Sequence, residues 1–321
     1  MKCSSFFAGV GGIEEGFIEA GFDVIYANEM DKFAIETYQT NFDLKVDGRT
    51  IQQVKAEEVP DCDLIMGGFP CQAFSIAGYQ KGFEDKERGM LFFELLRIIK
   101  VKKPRIVFCE NVKNLVSHDH GNTFSVIKDA LKSAGYEIKY AVLNAMEFGN
   151  IPQNRERIYI VGFKNHEDYR NFEFPDPIPL TTKISDLVDF SSKVDDKYYY
   201  TKKNCSFYQK LVDGMKSSNT FYQWRRVYVR ENKSNVCPTL TANMGEGGHN
   251  VPLVLTKHGI RKITPHECFN LQGFPTDYKL PAGMAQTHLY KQAGNSVVVP
   301  VIRRIAEQIK QAVEETDAKI F

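Results

Sequence analysis

Three short segments of this chain gather residue types able to do covalent chemistry. The first is Gly67-Gly68-Phe69-Pro70-Cys71-Gln72, which follows an apolar run. A free thiol has a pKa of about 8.5, so it is a weak nucleophile at neutral pH unless its surroundings favour the thiolate. Proline fixes the backbone before Cys71, and a loop close to cationic groups would make that sulfur a nucleophile. The following stretch, AFSIAGYQKGFEDKERG, mixes glycines with charges of both signs, the composition of a mobile lid. Cys3, Cys62, Cys109, Cys205, Cys237 and Cys268 read instead as small buried hydrophobes. The second segment is Glu110-Asn111-Val112, whose glutamate ends the apolar run IVFC. Partial burial there would let Glu110 act as an acid; full exposure would leave an ordinary strand-end carboxylate. The third is Gln153-Asn154-Arg155-Glu156-Arg157. Arginines at alternate positions of a strand point the same way, which suits an anion, a base edge or surface salt bridges.

A fourth segment suits a ligand rather than a reaction. Phe6-Phe7-Ala8-Gly9-Val10-Gly11-Gly12 sits between a predicted strand and a predicted helix, where glycines admit a ligand and the helix start offers unpaired N–H groups. Glu29, seventeen residues after Gly12, ends the next predicted strand and is placed to accept hydrogen bonds from ribose hydroxyls. The pair suggests a cofactor containing adenosine. The pattern GxxxxGK[ST] is absent, which disfavours a P-loop nucleotide hydrolase.

These segments need a frame. CSSFFAGVGG, DVIYANE, CDLIMGGFP, RIVFCENV, YEIKYAVLNA and RIYIVGF read as strands. Helical spacing falls at 13–20, 32–38, within LFFELLRIIK and at 124–134. The alternation predicts an α/β fold with a mostly parallel, Rossmann-like sheet, helices on both faces and ligands at the carboxyl ends of the strands. After FPDPIPL the pattern becomes short strands and polar loops, and helical character is expected to return only over 297–313. The expected organisation is a catalytic and cofactor-binding domain at 1–178, a smaller β-rich domain inserted at 179–284, and a segment at 285–321 returning to the first.

The 321 residues are 43% hydrophobic and 25% charged, which excludes disordered, collagen-like and disulfide-scaffold chains. No run approaches the roughly 18 uninterrupted apolar residues of a spanning helix, and the N-terminus is not secretory. Seven cysteines without a CxxC pair argue against structural zinc, so no metal is expected and a reducing cytoplasm is. Lys plus Arg is 41 and Asp plus Glu is 40, yet 197–262 holds 12 basic and 3 acidic residues, leaving −8 on the remainder. That stretch also carries Tyr198, Tyr199, Tyr200, Phe207, Tyr208, Phe221, Tyr222, Trp224 and Tyr228. Basic and aromatic residues together suit nucleic acid, though a solvated surface on a small domain has the same composition.

Taken in order, FFAGVGG, ANEMDK, GGFPCQAFS, RGMLFFE, ENVKN, QNRERIYIVGF, TLTANMG, RKITPHECFNLQGFP and QAGNSV resemble the motifs of the bacterial DNA (cytosine-5-)-methyltransferases. The resemblance runs over almost the whole chain. It implies a fold of the S-adenosylmethionine-dependent methyltransferase type with an inserted target-recognition domain. It implies that Cys71 attacks carbon-6 of cytosine, that Glu110 protonates or hydrogen-bonds nitrogen-3, and that Arg155 and Arg157 orient the base and support Glu110. For S-adenosyl-L-methionine, leaving as S-adenosyl-L-homocysteine, it implies Phe7 and Met30 on the adenine and Ala8, Gly9, Gly11 and Gly12 at the methionine end. Glu29 would hold the ribose, Pro70 and Leu91 would form the wall, and Asn295 and Ser296 would close the site. The sequence departs from the family in two places. Ser5 stands where an acidic residue is usual, and Asp47-Gly48-Arg49-Thr50-Ile51 replaces the usual Gly-Asp-Ile.

The resemblance implies double-stranded DNA as partner, a target base rotated out of the duplex, action as a monomer in the cytoplasm, and pairing with a restriction endonuclease. Gln72, Ser75, Arg88, Arg225, Arg226, Arg230, Thr239 and Leu240 are the expected DNA contacts, with Thr239 and Leu240 holding the flipped nucleotide. At least one of the three arginines at 225, 226 and 230 is expected to bind phosphate only. Alternatives are a tRNA cytosine-5 methyltransferase, a catalytically silent DNA-binding regulator, and a nicotinamide oxidoreductase built on the glycine turn and Glu29. The last gives Cys71 no role.

Overall fold

From Cys3 to Phe6 every residue is buried, and such a run without polar alternation suits a strand covered on both faces. The computed structural model, which describes residues 1–70, 91–232, 234–246 and 250–319, makes this run β1 (Lys2–Phe6). It lies in a six-stranded sheet with β2 (Asp23–Asn28), β3 (Leu64–Gly67), β4 (Ile106–Val112), β5 (Glu137–Asn144) and β7 (Glu156–Phe163), in the order β2-β1-β3-β4-β7-β5. β1 pairs in parallel with β2 and β3, and β3 in parallel with β4. Their carboxyl ends therefore share one edge, where the glycine turn, Glu29, Gly67-Gly68 and Glu110 all emerge.

The sheet departs from a fully parallel one at β7, which runs antiparallel to β4 with Glu110 opposite Tyr159 and Val112 opposite Arg157. Only eleven residues separate β5 from β7, short of the roughly dozen or more that a parallel crossover needs. The reversal brings the start of β7 to the carboxyl end of β4. A parallel β7 would have carried Arg157 to the opposite edge.

The helix Leu91–Lys102 buries Phe92, Leu95, Leu96 and Ile99, an i, i+3, i+4, i+7 stripe, in a core shared with Ile65 of β3 and Val107 of β4. Each such side chain contributes about 1.5–3 kcal/mol on burial. Arg105 grips the fully buried Asp168 through two nitrogens at 2.6 and 2.8 Å and also reaches Asp317 at 2.8 Å, fastening the sheet to the C-terminal helix Val299–Ala318.

The chain divides into two compact units, one of 1–143, 156–176 and 301–321, the other of 144–155 and 177–300. In the second, β8 (Tyr222–Trp224), β9 (Val229–Glu231), β11 (Leu253–Thr256) and β12 (Gly259–Lys262) form a sheet in the order β12-β11-β8-β9. A separate short pairing joins β6 (Gln153–Asn154) in parallel to β10 (Cys237–Pro238).

Helices also occur at Tyr208–Gly214, Pro265–Asn270 and Gln286–Asn295, earlier than the expected return of helical character. They are short and mostly polar, so apolar periodicity is weak; Thr264 and Glu267 around Pro265 nonetheless form a capping box visible in the sequence as TPHE.

The aromatics of this region mainly build its core. Phe221 and Tyr222 are fully buried, and Phe207 stacks on Trp224 at 4.2 Å and 7°. Arg261 is buried in a two-pronged ion pair with Glu267 at 2.7 and 2.8 Å. Part of the basic and aromatic composition is therefore spent on stability, because a small β-rich unit has few other large side chains with which to fill its interior.

Candidate active site

Phe7, the first residue after β1, has φ +56°, a left-handed conformation rare outside glycine and a strain typical of functional turns. It leads to Ala8, which is buried, and to Gly9, also left-handed at φ +56° with open space where a Cβ would stand. Gly11 caps the helix Gly12–Glu19. Glu29 holds this turn. Its two carboxylate oxygens accept the backbone N–H groups of Gly9 at 2.9 Å and Asp31 at 2.8 Å, which leaves a further lone pair on each. Met30 beside it is 66% exposed, unusual for a large apolar side chain. An open glycine cradle, a fixed carboxylate and an exposed apolar side chain fit an adenosine-containing ligand.

The second strand end adjoins the first. A Cβ on Gly67 would lie 3.6 Å from the Phe7 ring, and one on Gly68 would lie 3.4 Å from Glu110 Oε2. Glu110 is nearly buried, and its Oε1 meets Arg157 Nε at 3.2 Å. Asn111, whose place in the Glu110-Asn111-Val112 motif indicates no chemistry of its own, donates its amide to the Phe69 carbonyl at 2.8 Å. It thereby fixes the backbone that enters Pro70-Cys71. Cys71, Gln72, Ser75, Arg88 and the glycine-rich stretch read as a lid lie outside the described residues. Pro70, exposed, and Leu91, half-buried at the start of its helix, bracket them.

The other six cysteines behave as the sequence suggested. Five are buried, and Cys62 is half-buried. Burial pushes the Cys109 thiol up to about 12 and those of Cys3, Cys237 and Cys268 up as well, so none is poised as a thiolate.

The two departures from the family acquire partners. Ser5 donates its hydroxyl to Glu14 Oε1 at 2.5 Å, pairing a hydroxyl with a buried carboxyl from the adjoining helix; the other carboxyl oxygen has no hydrogen-bond partner among the described residues. Burial pushes the Glu14 carboxyl up to about 7 from an ordinary 4.5. Asp47 is held down to about 2, first by its hydrogen bonds from Arg49 (2.7 Å at the closest) and also by one from Tyr26 at 2.8 Å. Thr50 donates its backbone N–H to Gln53 Oε1 at 3.0 Å.

Glu14 makes stability depend on pH. Between about 4.5 and about 7 the native chain keeps a proton that the unfolded chain releases. Its contribution is therefore greatest below the lower value and is lost as pH rises through the upper, by on the order of 3 kcal/mol in all. Glu14→Gln should retain the hydrogen bond and flatten the fall in melting temperature between about pH 5 and 8. Thermal melts across that range check it, and an unchanged slope would refute the assignment.

In the second unit, Arg155 is buried and donates to the backbone carbonyls of Leu240 at 2.7 Å, Gly294 at 3.1 Å and Ser296. Gln153, fully buried, accepts from Leu240 N at 3.1 Å and donates to Leu271 O at 2.7 Å. Thr239 Oγ1 donates to Asn154 O at 2.5 Å. Three motifs far apart in sequence thus meet on one arginine: the Arg155 segment, the Thr239-Leu240 element, and Gly294-Asn295-Ser296 at the end of the helix Gln286–Asn295. Gly294 permits this approach, since a Cβ there would stand 2.1 Å from the Thr241 backbone. Arg155 and Arg157, expected to share one task, serve different partners.

Arg225 and Arg226 occupy the turn between β8 and β9, and Arg230 lies on β9. All three are exposed. Arg225 and Arg230 line an open polar cleft with Gln223, Asn232, Asn243 and Asn250. Among the described residues no His/Cys/Asp/Glu group could hold a metal ion, and no helix is long and apolar enough to cross a membrane.

A doubly wound sheet with a ligand turn and a carboxylate–guanidinium pair at one edge is the fold that solved C5 methyltransferases share. A DNMT2 mutant from Spodoptera frugiperda shares the fold with a TM-score of 0.74 at 18% identity, covering 96% of this chain and 99% of its own. A putative prophage-encoded DNA modification methyltransferase from E. coli gives 0.71 at 20% identity, covering 98% and 99%. The chain belongs to the C-5 cytosine-specific DNA methylase family, whose model matches residues 1–311. It is 65% identical to the Type II methyltransferase M.Bsp6I of Bacillus sp. (strain RFL6), over 96% of this chain and 98% of that protein. It is 40% identical to the Type II methyltransferase M.HhaI of Haemophilus parahaemolyticus, over 96% and 94%. The protein is accordingly a DNA (cytosine-5-)-methyltransferase, and the oxidoreductase, silent-regulator and tRNA-enzyme readings give way.

Proposed function

We propose that this enzyme rotates its target cytosine out of the duplex and methylates carbon-5 through a transient bond from Cys71. The observation that carries the reading is the Glu110–Arg157 pair, which lies against Gly68 at the strand edge leading into Pro70-Cys71. Unstacking the nucleotide costs a few kcal/mol, offset by protein contacts to the extruded base and to phosphates. The Cys71 thiolate bonds to carbon-6, and the electron pair of the 5,6 double bond moves into the ring. Glu110 meets that charge at nitrogen-3 with a proton or hydrogen bond, while Arg157 holds its carboxyl in place and Arg155 anchors the Leu240 backbone of the Thr239-Leu240 element. Carbon-5 becomes nucleophilic and accepts the methyl group. A base, water in the simplest case, then removes the carbon-5 proton, and the returning electron pair expels the Cys71 sulfur.

S-Adenosyl-L-methionine, when bound, supplies the methyl group and is released as S-adenosyl-L-homocysteine. Phe7 and Met30 would enclose its adenine, Glu29 would accept its ribose hydroxyls, and Ala8, Gly9, Gly11 and Gly12 would line its methionine end. Pro70 and Leu91 would wall the site, and Asn295 and Ser296 would close it. No metal is assigned a part. Gln72, Ser75, Arg88, Thr239 and Leu240 would contact the DNA, with the enzyme acting as a monomer. The Type II designation of its relatives supports a role in protecting DNA from a partner restriction endonuclease.

The test is to incubate the protein with plasmid DNA and methyl donor and map modified cytosines base by base. The expected product is 5-methylcytosine at one position of one short sequence. A duplex bearing 5-fluorocytosine at that position should trap a denaturation-resistant adduct at Cys71. Methylation without an adduct would remove the covalent route.

A further inference from the structure

The cleft in the second unit has a volume of about 400 Å³ and walls rich in primary amides: Gln223, Asn232, Asn243 and Asn250. Phosphate oxygens only accept hydrogen bonds, so the carbonyl half of an amide gains nothing from them. Base edges present donors as well as acceptors, so amide walls suit bases. Gln223 and Arg230 are directly opposite in the antiparallel β8–β9 pair, hence on one face, and Arg230 Nη2 donates to Gln223 Oε1 at 2.5 Å. A guanidinium only donates, which settles which end of the Gln223 amide faces it.

That bond has a chemical consequence. A free glutamine offers one acceptor and one donor, the pattern that matches adenine in the major groove. Here Arg230 takes one of the two lone pairs of the Gln223 carbonyl oxygen, so donors outnumber acceptors in what the pair offers: the other N–H groups of Arg230 and the amide N–H of Gln223. Guanine presents two acceptors, N7 and O6, whereas adenine sets a donor beside its single acceptor. The cross-strand bond also holds the arginine fork before DNA arrives, so less freedom is lost on binding. Arg226 differs. It sits at the exposed tip of the hairpin with φ +63° and is absent from the cleft lining.

Resting on the DNA reading above, we propose that Arg230, held by Gln223, reads a guanine in the major groove of the recognised sequence, and that Arg226 meets phosphate.

The experiment measures methylation and equilibrium binding on a duplex library varied at every position around the modified cytosine. It compares wild type, Arg230→Ala, Arg230→Lys, Gln223→Ala and Arg226→Ala, each checked for folding by thermal melting. Arg230→Ala and Arg230→Lys should relax discrimination at one G·C pair by about tenfold or more, and Gln223→Ala should relax the same pair to a smaller degree. Arg230→Lys keeps the charge and therefore the wild-type salt dependence. Arg226→Ala should weaken all sequences alike and lower the slope of log affinity against log salt by about 1. The proposal is overturned if Arg230→Ala weakens all sequences equally and Arg230→Lys restores wild-type behaviour, the signature of a phosphate contact. A wild-type protein that neither binds nor methylates any duplex in the library fails differently, because it removes the DNA reading itself.

Discussion

Cys71→Ser is expected to lower methyl transfer by on the order of 10⁴-fold or more while DNA and cofactor binding stay largely intact. Sulfur is the better nucleophile at neutral pH because its acidity lies near the working range; a serine hydroxyl stays protonated unless a base activates it. No other described thiol can take over, since burial raises those of Cys3, Cys109, Cys205, Cys237 and Cys268 and partial burial raises Cys62. Single-turnover methylation, with binding followed separately by gel shift, distinguishes loss of chemistry from loss of binding. Turnover near that of wild type would end the covalent mechanism.

Glu110→Gln should reduce kcat by about 10²- to 10⁴-fold with little change in KM for DNA. The amide keeps the shape of the carboxyl and can still accept from Arg157 Nε, which lies 3.2 Å from Glu110 Oε1 in the native protein. It cannot deliver a proton to nitrogen-3 as the Cys71 adduct forms, so the loss falls on the chemical step. Adduct formation on 5-fluorocytosine duplexes should slow by the same factor as kcat. A variant whose KM rises while kcat holds would make Glu110 a binding residue and not an acid.

The proposed reactive set is legible in the sequence because its residues lie within short local patterns. Gly67-Gly68 before Pro70-Cys71, Glu110 at the end of an apolar run and Glu29 at the next strand end each follow from strand-then-loop order in a doubly wound sheet. Asn111 and Gln153 stand within the motifs, but their residue types alone indicate no task. Their function is to hold backbone carbonyls and amides, and that depends on which chain segment passes beside them. The aromatics of 198–228 suit nucleic acid by composition, but Phe221 and Tyr222 are fully buried because that small unit needs them for its interior. The amides at 223, 232, 243 and 250 fall within FYQWRRVYVRENKS and TLTANMGEGGHN, the stretches best suited in sequence to a DNA-reading surface, but their meeting in one cleft across 28 positions is set by the fold.

Residue types and their order carry the proposed chemistry: a thiol after proline, a carboxylate, two arginines and a glycine turn, in the order of one enzyme family. Which group serves which follows from packing. The antiparallel course of β7 brings Arg157 to Glu110, whereas Arg155, two residues earlier, fastens the carbonyls of Leu240, Gly294 and Ser296. Ser5 meets Glu14 rather than an outside partner, and Gln223 accepts from Arg230 across the β8–β9 pair. The reason is physical. Residue type fixes what a group can donate or accept, but its partner is set by strand direction and by chain segments that pack together only after folding.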